Sequence, residues 1–182
     1  MASKIKVDKL ETADGTGTIA LQNQLSGMTT ASLPALGSAQ MPAGSVLQVV
    51  GTGTFSRTEV TSSSWAATNN SASITPSSSS NKVLVNCTNH VRVAGTSEYI
   101  RGGLRIKRGS TVVWNSDGSG EAIQVRNASN EHDTLAAICF LDSPSTTSST
   151  TYTLEAKLTT GSTFYIFESV MGASMVLQEI KG

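Results

Sequence analysis

The chain has 182 residues, enough for one domain with a real core, or for one such domain plus an extended arm. Thirteen Lys and Arg balance thirteen Asp and Glu, and charged residues are only 14% of the chain, so it lacks the Lys/Arg excess that nucleic acid binding requires. No run of eighteen apolar residues exists to enter a membrane, and the opening MASKIKVDKLETADG has no apolar signal core, so a soluble protein made in a cytoplasm is expected.

In chain order, residues 1–25 read as an extended arm. Ile5 and Val7 alternate with polar neighbours, Asp14-Gly15 marks a turn, and Ile19 and Leu21 sit in a second short strand. A hairpin of this size is marginal alone in water, so Ile5, Val7, Ile19 and Leu21 are candidate contacts to another copy or a larger assembly. Residues 26–44 read as a Pro/Gly/Ser linker. From 45 to 182, strand signals recur at short intervals. SVLQVV opens the series; NNSAS reads as a turn and Ser77–Ser80 as a loop. From Lys82 to Val93 the pattern alternates, with Val83, Val85, Cys87, Val91 and Val93 on one face and Asn86, Thr88, His90 and Arg92 on the other, which predicts a half-buried antiparallel strand. GGLRIKRGSTVVWN predicts a hairpin turning at 108–110, and DGSG at 117–120 another turn. TLAAICFLD is apolar on both faces: Leu135, Cys139 and Leu141 on one, Ile138 and Phe140 on the other. That fits core on one side and a subunit contact on the other, so Leu135, Ile138 and Phe140 are candidate contacts; the alternative is a central strand covered by a loop of its own chain. Tyr152, Leu154, Ala156 and Leu158 alternate with polar residues, and 164–167 and 175–180 close the series. With 27 Ser and 23 Thr supplying exposed strand faces and turns, the pattern predicts an all-β antiparallel sandwich, a jelly roll, over 45–182.

No catalytic constellation stands out. No Gly-x-Ser-x-Gly elbow positions a nucleophile, and with 27 serines a Ser/His/Asp set arises by arithmetic alone. His132 lies in the polar stretch NASNEHD and reads as loop, whereas His90 falls on the polar face of its strand. Cys87 and His90 point to opposite faces, which argues against zinc; Cys87 and Cys139 read as small buried hydrophobes. Asp14-Gly15-Thr16-Gly17 and Gly51-Thr52-Gly53 do not complete a phosphate loop. No catalytic residue, cofactor or metal is therefore expected. Arg101, Arg105 and Lys107 share strand parity and form a basic stripe that a glycan or another anion can contact; a solubilising face is the plainer reading. A glycan hydrolase would need paired carboxylates, for which Asp117 and Glu121 are the one tempting pair. A monomeric carbohydrate-binding module would need Trp65 and Trp114 exposed side by side.

The segments SKIKVDKLETADGTGTIALQNQ, MPAGSVLQVV, SITPSSSSNKVLV, LRIKRGSTVV and FLDSPSTTSSTTYTLEAKL, in this order, resemble small tail-fibre-like structural proteins of marine and aquatic tailed bacteriophages. The resemblance implies a virion protein: an N-terminal arm against other virion proteins or sister chains, then a homotrimeric head of the tumour-necrosis-factor type with its inner sheet toward the threefold axis. It implies a fibre or surface appendage in contact with host surface glycans, with capsid decoration as the alternative placement.

Overall fold

The structure, a computed structural model, describes residues 37–52, 56–116, 122–126, 131–167 and 173–182. These hold a 3-10 turn (Ser38–Gln40) and the strands β1 (Val46–Thr52), β2 (Thr58–Val60), β3 (Ala66–Ile74), β4 (Lys82–Ala94), β5 (Tyr99–Arg108), β6 (Thr111–Asn115), β7 (Ile123–Arg126), β8 (Glu131–Asp142), β9 (Thr150–Thr160), β10 (Thr163–Phe167) and β11 (Ala173–Ile180). The arm 1–25, the linker as far as residue 36 and the pair Asp117/Glu121 lie outside the described residues.

The alternating segment from Lys82 becomes β4, which runs through the first sheet. Along one side β4 pairs over its length with β8, from Val83↔Asp142 to Ala94↔Glu131. Along the other it pairs with β11 (Lys82↔Ile180 to Asn89↔Ala173) and then with β10 (His90↔Phe167 to Ala94↔Thr163). β11 and β10 thus lie end to end, and β1 and β2 run outside them in the same way. In the second sheet β5 pairs with β9 on one side and with β7 and β6, again end to end, on the other; β3 lies outside β9. With each end-to-end pair counted as one row, the eight rows in chain order fall as 1-8-3-6 in the first sheet and 2-7-4-5 in the second. This is the order of a jelly roll, and all the pairings are antiparallel.

The core lies between the sheets. Val83, Val85, Cys87, Val91 and Val93 of β4 point into it, as their parity predicts, and meet Ile100, Leu104, Ile106, Tyr152, Leu154, Ala156 and Phe164 from other strands. The inward side chain of Phe164 needs Gly102 beneath it, since a Cβ there would stand 2.8 Å from the ring. The β5–β6 hairpin turns through Gly109 at φ 55°, the left-handed region that glycine enters freely.

Three local expectations change. NNSAS is not a turn but part of β3: Thr68, Asn70, Ala72 and Ile74 face inward, and Asn70 Nδ2 donates to Asn89 Oδ1 of β4 at 2.6 Å across the core. One hydrogen bond between two buried amides stands where an apolar pair would otherwise pack, and Asn89 Nδ2 donates on to Cys87 Sγ. His132 lies on β8 rather than in a loop, though exposed. Residues from Ser38 belong to the compact unit Ser38–Gly182 rather than to a linker, because Lys181 Nζ donates to the carbonyls of Ser38, Ala39 and Met41.

Candidate interaction faces

The outer face of the first sheet carries exposed apolar side chains. Leu135 is 60% exposed, Val49 58%, Leu141 50% and Val46 48%. Register brings Leu141, Val49 and Val46 to one end, whereas Leu135 lies level with His90 toward the other. Leu141 pairs with Leu84, which pairs on its other side with Gln178 next to Val49; Ile180 pairs with Val46. Cys139, also exposed, lies level with Asn86 and Val176, one row further along β4 from the Leu141 row. Water-facing strands normally carry polar side chains there, so these exposed apolar residues depart from the usual pattern. The other end of the same face is charged and balanced: Arg92 Nε donates to Asp133 at 2.8 Å, Arg92 Nη1 to Glu131 at 2.8 Å, and His90 Nε2 stands 3.4 Å from Asp133. The Asp133 hydrogen bond pushes the Arg92 pKa above its ordinary value.

The outer face of the second sheet is cationic and aromatic. Trp65, just before β3, has Arg105 Cζ 4.5 Å and Lys157 Nζ 4.9 Å from its ring centroid. Tyr99 has Arg101 at 5.0 Å and Arg126 at 5.4 Å. Glu155, only 9% exposed, accepts from Arg105 Nε at 2.6 Å and faces Lys107 Nζ at 3.5 Å. The anticipated stripe of Arg101, Arg105 and Lys107 is therefore one face, as parity required, but two of its three cations share a carboxylate that sequence distance had hidden. Tyr99 shares the parity of Arg101 on β5; Trp65, Arg126 and Lys157 join the cluster without a sequence signal, because cross-strand register brings them there.

Two buried groups have structural partners. Burial alone would raise the pKa of Glu179, but hydrogen bonds from Asn81, Gln48 and Ser77 outweigh it and hold the carboxyl below its ordinary value. Those donors stand 2.6 to 2.8 Å away and tie the 75–81 loop to β11. Cys87 is fully buried, and desolvation, resisted by bonds from Asn89 and Asn70, pushes its thiol pKa up to about 11.

Placement sorts the sequence candidates. Leu135 faces outward. Ile138, 5% exposed, and Phe140 pack on the core, on the opposite face of β8 from Leu135 as the alternation placed them, so of these three candidate contacts Leu135 is the one on the outer face. Cys139 is exposed rather than buried, and both cysteines are free: Cys87 faces in and Cys139 out. Trp114 pairs with the inward-facing Ile106 and packs on the core, whereas Trp65 sits over Arg105, so the two do not form one aromatic platform. Among the described residues, no group of three His, Cys, Asp or Glu is placed to hold a metal ion, and no helix is long and apolar enough to cross a membrane.

No protein-family model matches the chain, and no curated protein sequence matches it. The functional reading therefore rests on the two faces and on the sequence resemblance.

Proposed function

We propose that the chain is a non-enzymatic structural protein of a tailed-phage virion, assembled as a homotrimer into a fibre or surface appendage, with its arm on other virion proteins. The observation that carries the assembly is the apolar outer face of the first sheet. Leu135, Leu141, Val46 and Val49 remain about half exposed in the single chain, and covering each returns roughly 1 kcal/mol. In a jelly-roll trimer with this sheet toward the axis, sister chains cover that face. The second sheet then faces outward, where its cations can meet host surface glycans. The virion placement is supported by the ordered segments that resemble phage tail-fibre-like proteins. The non-enzymatic reading is supported by Glu155 and Glu179, whose carboxylates are engaged in holding strands and a loop together.

The test is the solution mass of the full chain by light scattering, beside the variant Leu135→Asp/Leu141→Asp. The expected result is three chain masses for the first and one for the second, with both folded by circular dichroism. A full chain that is monomeric at micromolar concentration overturns the self-assembling trimer. Co-sedimentation of the protein with purified particles checks the virion placement.

A further inference from the structure

Glu179 turns its carboxylate inward at one end of the sandwich, where it joins elements that little apolar packing holds. From β1 it meets Gln48, whose Nε2 donates at 2.6 Å. From the 75–81 loop it meets the Ser77 N–H at 2.6 Å, Ser77 Oγ at 2.8 Å and Asn81 Nδ2 at 2.6 Å, and from β4 it meets the apolar Val83 in register. Its charged neighbours in register and sequence are engaged elsewhere or exposed. Asp142, in the same row beyond Val83, is bound by Arg108 and Tyr152; Lys181 is bound to the carbonyls of Ser38, Ala39 and Met41; Lys82 is exposed.

β1 depends on this carboxylate. None of its residues is fully buried, and Val50 is its contact with the core. Its ladder with β11 is interrupted between Val46 and Gln48. Its other side-chain ties are Gln48 Nε2 to Thr75 O at 2.7 Å and Thr52 Oγ1 to Ser71 O at 3.3 Å. In the loop, Pro76 is the buried apolar residue. β4 is the contrast, since Val83, Val85, Cys87, Val91 and Val93 all lie in the core. Elements with few buried apolar contacts open first.

We infer that the Glu179 carboxylate is an acid-operated latch, whose protonation frees β1 and the 75–81 loop while the rest of the sandwich stays folded. A proton on either oxygen needs an acceptor, and donors ring this carboxylate. Gln48 cannot reverse its amide, because Nε2 also serves Thr75 O; Asn81 cannot, because its Oδ1 accepts the Gly182 N–H at 3.1 Å. Ser77 Oγ can turn to accept, but it then gives up its own bond to the carboxylate. The remaining bonds lose the charge that makes such bonds roughly twice as strong as neutral ones. These donors hold the folded pKa below 4.5, so the tie is fully present above the unfolded value and is lost as pH falls through the folded one. The strand set free is the first of the sandwich, and it carries Val46 and Val49 of the outer face.

The experiment is hydrogen exchange of the full chain followed by mass spectrometry, with rates corrected for intrinsic exchange at each pH. As pH falls from 7 to below 4.5, protection over 46–52 and 75–81 should drop at least about tenfold, while β4, β5 and β9 keep theirs. Glu179→Gln should show the low protection of both segments already at pH 7. Gln48→Ala, which leaves the carboxylate in place, should free β1 at pH 7 but leave 75–81 protected until acid is added. Protection lost uniformly along the chain, β1 protection unchanged by acid, or a Gln48→Ala chain with β1 as protected as in the wild type overturns the inference. The latch lies within one chain, so mass measured on the same samples keeps it apart from the trimer: a monomer that opens at β1 sinks the trimer alone, and a trimer that does not open sinks the latch alone.

Discussion

Glu179 shows how one residue closes an end of the sandwich. It is 1% exposed and accepts four hydrogen bonds, from Gln48 Nε2, the Ser77 backbone N–H, Ser77 Oγ and Asn81 Nδ2. Because these donors favour the charged form, the folded pKa lies below the unfolded value near 4.5. A carboxyl depressed in this way contributes stability that is fully present above the unfolded pKa and is lost as pH falls through the folded one. The melting temperature should therefore fall steeply below about pH 4.5. Glu179→Gln, which turns an acceptor into a donor facing donors, should melt lower than the wild type at pH 7, and the gap should narrow as pH falls below 4.5 and through the folded pKa. A constant gap across that range in thermal melts would remove Glu179 as the cause. Gly102 is the second such residue. A Cβ there meets the Phe164 ring, whose neighbours are packed, so Gly102→Ala should cost about 1–3 kcal/mol in urea unfolding with an unchanged m-value.

At the scale of the element, β8 does two jobs through its alternation. Its inward side chains Ile138 and Phe140 serve the core, and its outward Leu135, Cys139 and Leu141 serve the uncovered face. The two sets should separate by mutation. Ile138→Ala should cost about 2–5 kcal/mol of stability, whereas Leu135→Asp should leave the fold of the single chain intact and weaken assembly. Cysteine labelling reports the same division. Cys87, buried and with its thiol pKa pushed up to about 11, should react with a maleimide only on unfolding. Cys139 should be shielded in the trimer and react readily in Leu135→Asp/Leu141→Asp; equal Cys139 rates in both, measured by mass spectrometry, would place the contact elsewhere. The double apolar face of this strand was legible in its sequence because period two separates the sets cleanly. β4 and β9 were legible for the same reason. β3 was not, since AATNNSASI has the composition of a turn and becomes a strand through its pairing with β9, with Asn70 meeting Asn89 from the opposite sheet. The aromatic–cationic face was half legible: Arg101, Arg105 and Lys107 share a strand, but Trp65, Lys157 and Glu155 reach them across register that no local pattern encodes.

In the whole molecule the two sheets are held by one core and present opposite chemistries outward, apolar on the first and cationic with aromatics on the second. The trimer proposed above would turn the first of these faces to sister chains and the second to what lies outside. It also bears on where the folded unit starts. Ser38 to Ser45 carry no buried apolar side chain, yet they are bound to the end of β11: Lys181 Nζ donates to three carbonyls, Gly44 N–H donates to Lys181 O at 2.8 Å, and Lys181 N–H donates to Ser45 O at 2.9 Å. A chain starting at Ser38 keeps all of these and the whole apolar face. It should melt at the temperature of the full chain and retain the trimer mass, since the proposed contacts lie on the sheet. A chain starting at Val46 loses these bonds and frees the edge of β1. Most of the lost partners are replaced by water, so the cost should be about 2 kcal/mol rather than the sum of five isolated hydrogen bonds. If the Ser38 chain melts as expected but runs as a monomer in light scattering while the full chain is a trimer, the proposed threefold contact belongs to the arm and not to the sheet face.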